Sequence, residues 1–425
     1  LREALRRRED KLCRRKLTIL PSSSVDFSSN DFLSLSTSPA YRARFLDILQ
    51  QAPPLHPFAS GGSRLLDGNS AYAEELENFI AAFHNAPSGL LFNSGYDANV
   101  GVFSSIPQPG DLIVYDELIH ASAHEGMRLS RAGKRIKFPH SSPDGLRAVL
   151  QAEITADPRL LQGRRNVFIA FESVYSMDGD VAPIREFVEI VDQLLPYGNG
   201  YFLVDEAHAT GVFGPRGSGV VQELGLEDRM FVRVHTFGKA LASHGGSLAR
   251  CLWVSILTVL LAIVLCCADT RDYLINYARS LIYTTALGFP FLASIRAAYE
   301  LSLREKLSRY GPSLEEATFH YRPMGKLTNI QLQHKLGQLI AHFRTGLDNL
   351  NHKDSSTFEV EHFTNSPIFS LRSSVPRVLA SVCQEQGYTV RAIMPPTVPA
   401  GKERVRVCLH AGNTVEEVDG LLETI

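Results

Sequence analysis

Short apolar runs recur along this chain between stretches of helical periodicity: Gly89–Phe92, Leu112–Tyr115, Val167–Phe171, Tyr201–Val204 and Met230–Val234. Several of them do not alternate with polar residues, and turn residues bound them. Strands buried on both faces of a parallel sheet read this way. Alternation of such strands with helices predicts an α/β architecture with helices on both sides of the sheet. Helical spacing is clear from Ala71 to Phe83, where Leu76, Phe79, Ile80 and Phe83 recur on one face. Towards the C-terminus the pattern changes. Thr357–Leu371, Tyr388–Ile393 and Val405–Leu409 are predicted strands of a smaller α+β unit. A short strand is predicted at Val25-Asp26-Phe27, after a basic, partly amphipathic helix over residues 1–20 that Pro21 closes. The expected division is an N-terminal arm and small-domain segment over 1–60, a large α/β domain over 61–300 and a C-terminal small α+β domain over 301–425.

Charge narrows the range of partners. The 425 residues carry a formal net charge of -2 and are 44% hydrophobic, which suits a globular enzyme and gives no reason to expect nucleic acid or a membrane as partner. Six cysteines (Cys13, Cys251, Cys266, Cys267, Cys383 and Cys408) form no CxxC pair or other metal-ligand spacing, so neither a metal site nor a disulfide framework is indicated. Free cysteines suit a reducing compartment. The cytoplasm is expected, with the peroxisome left open, since its address would lie at a C-terminus and this chain ends Glu423-Thr424-Ile425.

Two neighbouring segments carry the chemistry. In Tyr201-Phe-Leu-Val-Asp205-Glu206-Ala207-His208 an apolar run ends in an acid, which puts Asp205 at the carboxyl end of a buried strand, where α/β sheets bind ligands. Burying a carboxylate there is expensive unless it meets a cation. A protonated pyridine nitrogen would serve, and a metal or a helix-cap role would serve equally well on this segment alone. Next, His235-Thr236-Phe237-Gly238-Lys239-Ala240-Leu241 follows the run Met230–Val234. A lysine in a short loop after a buried strand can form a Schiff base, because burial favours its free amine.

The motifs FSSNDFLSLS (27–36), GGSRLLDGN (61–69), FNSGYDAN (92–99), SMDGD (176–180), VDEAHATGVFG (204–214), HTFGKAL (235–241), IYTTAL (282–287) and PPTVPAGKERVRV (395–407) occur in this order. Together they resemble the α-oxoamine synthase family over nearly the whole chain. The resemblance implies a type I pyridoxal-phosphate transferase fold and a decarboxylative condensation of a small amino acid with an acyl-CoA. Lys239 would carry pyridoxal 5'-phosphate and move the Cα proton. Asp205 would pair with the pyridinium nitrogen, His208 with the ring hydroxyl, and His120 would stack on the ring, with Ser176 near the hydroxyl. Gly95, Tyr96 and Thr236 would hold the phosphate, and a helix N-terminus after small residues is an independent reason to expect an anion at Gly95. Thr284 and Thr285 would reach the phosphate of a neighbouring subunit, which makes a homodimer with shared active sites. Arg406, assisted by Asn30, would bind the amino-acid carboxylate; in Val405-Arg406-Val407 it could equally be the solvent face of a strand. Arg14 is a further substrate-binding expectation.

Within the family the likeness is closest to members that join alanine to a pimeloyl thioester in biotin synthesis. Met394 departs from that branch, whose bacterial members tend to have Arg there, although Arg391 is three residues away. A sphingoid-type or polyketide-associated synthase using a fatty acyl thioester therefore stays open. An aminotransferase would share Lys239 and Asp205 but not the synthase motifs, and an inactive partner subunit should have lost Lys239.

One segment fits none of this. Cys251–Ala268 has 18 residues without a charge, the length of a membrane-span candidate. Motifs of one domain on both sides speak against a span. A buried hydrophobic helix has no evident place in the family core, where the resemblance implies one strand, expected at Ala262–Cys266; the segment from about Leu248 to Leu261 reads as a translated intron or gene-model error, for which Val254-Ser255 would encode a common donor, GTGAGT.

Overall fold

The computed structural model describes residues 1–10, 14, 17, 19, 21, 23–243, 261–309, 329–353, 358–360 and 365–425. Its strands are β1 (Val25–Asp26), β2 (Ser88–Phe92), β3 (Leu112–Asp116), β4 (Lys134–Phe138), β5 (Val167–Glu172), β6 (Gly200–Asp205) and β7 (Met230–Thr236). They continue with β8 (Ala262–Cys266), β9 (Glu359–Val360), β10 (Ile368–Arg372), β11 (Tyr388–Thr389), β12 (Arg391–Ile393) and β13 (Arg404–Cys408).

The central sheet has the order β2-β8-β7-β6-β5-β3-β4 among the described residues. All its pairings are parallel except those of β8, which runs antiparallel to both β2 and β7. Its strands read as uninterrupted apolar runs because both faces are covered. On β5, Val167, Ile169 and Phe171 pack into one core with Leu146, Leu150, Phe187 and Val191 from helices Pro143–Ala156 and Ile184–Leu194. Phe168 and Ala170 enter the other core, with Val102, Ala123 and Met127 from helices Gly95–Ser105 and Ala121–Leu129. The expected α/β architecture, with a mostly parallel sheet, is the one observed.

The smaller sheet is antiparallel, ordered β12-β13-β10-β9. Two predicted strands divide here. The run Thr357–Leu371 holds β9 and β10, which pair with each other, and Tyr388–Ile393 holds β11 and β12, which belong to different sheets. β11 pairs with β1 in parallel, Val25 facing Tyr388, so the N-terminal segment is bound to the C-terminal one. Val390, fully buried between β11 and β12, marks where the chain changes sheets. β4 has no counterpart in the predicted elements. Its sequence, KRIKF, alternates charge with apolar residues because it is the exposed edge of the sheet, where charge discourages further pairing. The N-terminal helix spans Arg2–Asp10 and buries none of its residues.

β8 occupies the expected residues, Ala262–Cys266, all buried. Residues 244–260, with nearly all of the segment read as extraneous, lie outside the described residues. Its last residue, Leu261, is a correction. It is buried, and its carbonyl accepts a hydrogen bond from Phe237 N at 2.8 Å, so the core claims it. Among the described residues no helix is long and apolar enough to cross a membrane.

Since β8 lies between β2 and β7, it is an interior strand, and Ile263 on it is fully buried. Ile263→Ala should lower unfolding free energy by about 3 kcal/mol, measured by denaturant titration. A loss below about 1 kcal/mol would show that this strand is not an interior strand of the sheet.

Candidate active site

The carboxyl ends of the parallel strands gather the titratable groups. β6 ends at Asp205, β5 at Glu172 and β3 at Asp116, while β7 ends at Thr236, three residues before Lys239. Asp205 Oδ1 accepts from Ala207 N at 2.9 Å and Oδ2 from Asn99 Nδ2 at 2.7 Å. Both oxygens keep a free lone pair for a cationic N–H donor. Asn99 sits one turn into helix Gly95–Ser105, whose face packs across the sheet, and its Nδ2 also donates to Ser122 Oγ at 2.9 Å. Ser122 N donates to His120 Nδ1 at 3.2 Å and Ser122 Oγ lies 2.7 Å from the same nitrogen, so Nδ1 accepts and the neutral ring carries its proton at Nε2. A relay therefore joins Asp205 to the exposed ring of His120.

Lys239 Nζ donates to Thr236 Oγ1 at 3.4 Å, and the residue is buried (8% exposed). Burial pushes its pKa down, against the pull of Asp205 and Glu172, and Arg406 lowers it further. The Glu172 carboxyl, level with Asp205 on the next strand, is raised well above its usual range by burial and by Asp205. His208 is held neutral, chiefly by burial and then by Lys239. Its Nδ1 is buried without a hydrogen-bond partner. The lysine loop is fixed from below. Gly211 has φ +85, and a Cβ there would lie 2.9 Å from Ala240 Cβ, so only glycine allows that approach.

Gly95 opens helix Gly95–Ser105, capped by Ser94, whose Oγ accepts from Asp97 N at 2.8 Å. Its backbone faces Thr236: a Cβ on Gly95 would sit 2.6 Å from Thr236 Cγ2. A helix N-terminus, a neighbouring hydroxyl and no intervening side chain form an anion cradle. Tyr96 beside it is exposed.

Arg406 is 7% exposed, so it is not the solvent face of β13. Its Nε donates to Ser176 O at 2.6 Å, Nη2 to Asn30 Oδ1 at 2.8 Å and Nη1 to Ser28 O at 3.5 Å. The structure thus brings Arg406, Asn30 and Ser176 together, with Ser176 engaged through its carbonyl. Thr284 Oγ1 accepts from Asn93 Nδ2 at 3.2 Å and Thr285 O from the same nitrogen at 2.7 Å, which sets both threonines beside the Gly95 loop. Arg14 is different. It is exposed and pairs with Glu9 at 2.8 Å, and among the described residues no contact joins it to this cluster. The sequence reading missed Asn93, Asn99 and Ser122. Asn99 ends the motif 92–99, and its place on a helix face leading from a strand end was the available signal.

These side chains fit pyridoxal 5'-phosphate: a carboxylate with room for a ring N–H, an unpartnered buried imidazole nitrogen, an anion cradle and a buried lysine. Fold and site define a pyridoxal-phosphate enzyme of the type I transferase architecture. The description of the family "Aminotransferase class I and II" matches residues 22–425. An 8-amino-7-oxononanoate synthase from Emericella nidulans is 90% identical over 425 residues, covering 100% of this chain and 94% of that one. An aminoacyl transferase sphA from Aspergillus fumigatus is 39% identical over 406 residues, 95% of this chain and 80% of the other. The serine palmitoyltransferase of Sphingomonas wittichii superposes with a TM-score of 0.75 at 23% identity, over 99% of this chain and 95% of that one, and shares the fold. The chain belongs to the class I and II aminotransferase family, in its α-oxoamine synthase branch, and is a pyridoxal-phosphate-dependent acyltransferase that makes aminoketones.

Gly95→Ala should push Thr236 aside and weaken binding of pyridoxal 5'-phosphate roughly tenfold, the cost of modest overpacking. Titration of apoenzyme with the cofactor measures this, and unchanged affinity would remove Gly95 from the cradle.

Proposed function

We propose that this enzyme condenses L-alanine with pimeloyl-CoA, as in biotin synthesis. The observation that carries the reading is the 90% identity over 425 residues to the Emericella nidulans protein, supported by the hydrogen-bonded cluster around Arg406. Arg406, oriented by Asn30 and Ser176, presents a guanidinium edge suited to a small amino acid's carboxylate. Bound pyridoxal phosphate would supply an electron sink for negative charge at the amino acid's Cα. Asp205 would hold the ring nitrogen protonated, with Asn99 keeping the carboxylate in place, and His208 Nδ1 would pair with the ring hydroxyl. His120 would stack on the ring, while Gly95, Tyr96 and Thr236 would hold the phosphate. Lys239 would be the covalent attachment point, and its free Nζ would take the Cα proton, for which burial's downward push on its pKa suits it. Carbon–carbon bond formation then expels the thiol of coenzyme A. The carboxylate leaves as carbon dioxide, and a proton returned to Cα completes the aminoketone.

The working unit in this reading is a homodimer in which Thr284 and Thr285 reach the partner's phosphate. Leu65, Leu66, Tyr96 and Tyr283 are all exposed in segments tied together by Asn93 and by the Ala286 N to Gly62 O bond of 2.8 Å, and such an apolar patch suits a subunit contact. Free Cys266, Cys267, Cys383 and Cys408 are consistent with the cytoplasm or peroxisome. A second reading, a sphingoid-type synthase, is favoured by Met394 and by the aminoacyl transferase relative.

Holoenzyme assayed with alanine, serine and glycine against pimeloyl-CoA and palmitoyl-CoA should turn over alanine with pimeloyl-CoA fastest. Serine with palmitoyl-CoA as the faster pair would give the reaction to the second reading. In Lys239→Ala, turnover should vanish while cofactor still binds, and borohydride should no longer fix it to the protein. Persistent covalent fixation would take the role from Lys239.

A further inference from the structure

His140 belongs to none of the groups assigned above, yet it joins two turns that carry them. Its Nδ1 lies 3.0 Å from Asp116 Oδ1 and its Nε2 3.1 Å from Asp180 Oδ2. Asp116 ends β3 and shapes the turn that delivers His120. Leu118 N donates to its Oδ1 at 2.9 Å, and Ile119 N to its carbonyl at 3.1 Å. Asp180 closes the 176–180 turn. Its carbonyl accepts from Tyr175 N at 3.0 Å, and its Oδ2 from Ser141 Oγ at 3.0 Å. The same turn is anchored on its far side by the ion pair of Asp178 with Arg404, and its Ser176 carbonyl holds Arg406 Nε. An imidazole that hydrogen-bonds a carboxylate through each nitrogen must be doubly protonated, a cation between two anions.

We propose that His140 is a positioning residue, an imidazolium pin between Asp116 and Asp180 that holds the turn bearing His120 in register with the turn that orients Arg406. The inference rests on the reading of His120 and Arg406 given above, and it deepens it. The pin fixes how far the ring-stacking side chain stands from the carboxylate-binding guanidinium.

The surroundings favour the charge. Burial alone would push the imidazolium down, but the hydrogen bonds to Asp116 and Asp180 outweigh it and bring its pKa up to about 10. The Tyr175 ring packs edge-on at 4.4 Å and stays a neutral phenol, its pKa raised well above the usual value by burial and by Asp116 and Glu172. Glu117 accepts from the His140 backbone N at 3.3 Å and is paired with Lys137 at 3.3 Å, and the Glu172 carboxyl is raised by burial and by Asp205, Asp116 and Asp180, so it is a weak rival for the imidazolium. The folded pKa lies above the unfolded value. The pin's contribution is therefore complete below the unfolded pKa of 6.5 and is lost as pH rises through about 10.

Three holoenzymes test it: wild type, His140→Gln and Asp180→Asn. In wild type labelled with 15N-histidine, the signal absent from the glutamine variant should show both ring nitrogens protonated at about pH 8. His140→Gln should keep cofactor affinity within about twofold while KM for alanine rises about tenfold, the worth of a lost charged hydrogen bond. Asp180→Asn, with one carboxylate gone, should lose alanine affinity at a lower pH than wild type. A purely structural histidine would lower the melting temperature and leave KM for alanine unchanged, and that result would overturn the proposal. A neutral His140 in wild type at about pH 8 would overturn it too, and should the glutamine variant fail to fold, the signal that shifts in Asp180→Asn identifies His140. Wild-type holoenzyme blind to alanine would count against the substrate reading instead, and the charge state of His140 would still judge the pin.

Discussion

A buried carboxylate at the end of a strand organises this molecule. Asp205 lies where β6 leaves the sheet, and its charge is costly there unless donors and a cation surround it. Ala207 N and Asn99 Nδ2 supply two donors, and the cofactor's ring nitrogen, in the proposed reading, supplies the cation. The need for Asn99 fixes helix Gly95–Ser105 over the strand ends. That helix's N-terminus makes the anion cradle, and the same amide passes the constraint on to Ser122 and His120.

Strand geometry decides what lies beneath the site. Successive side chains on a strand point to opposite faces. The residues next to Asp205 and Thr236, namely Glu206 and His235, therefore face away from the lysine. There Thr210 Oγ1 lies 2.9 Å from His235 Nδ1, and Val221 N donates to Glu206 Oε1 at 3.1 Å. Burial raises the Glu206 carboxyl to about 7 and pushes His235 well below its ordinary value. The floor of the site is thus polar and desolvated, tied by the backbone to residues on the ligand side.

The substrate side is built from three distant parts of the chain. Arg406 comes from β13, and its guanidinium donates to Ser28 O and Asn30 Oδ1 of the N-terminal segment and to Ser176 O of the turn after β5. The β1–β11 pairing brings the N-terminal segment beside the C-terminal sheet. Arg404, two residues before Arg406, holds the same turn through Asp178.

Periodicity in the sequence determined five strands of the large sheet, β2, β3, β5, β6 and β7, because burial on both faces leaves uninterrupted apolar runs whatever their order. β8 at Ala262–Cys266, within a far longer apolar segment, was placed only by the family resemblance, which implies one strand between the lysine loop and the next helix. Local motifs pointed to Lys239, Asp205, His208 and Arg406, whose chemistry needs particular residue types at particular strand ends. The edge strand β4 was hidden, because an edge strand keeps its charges and loses the apolar signature. Only the tertiary structure decided that Arg406 faces inward, since Val405-Arg406-Val407 reads equally well with either face wet. Asn99, Ser122 and His140 were likewise invisible as partners of the site. Hydrogen bonds between residues 23 to 106 positions apart depend on how strands are ordered in the sheet, and no local pattern encodes that order.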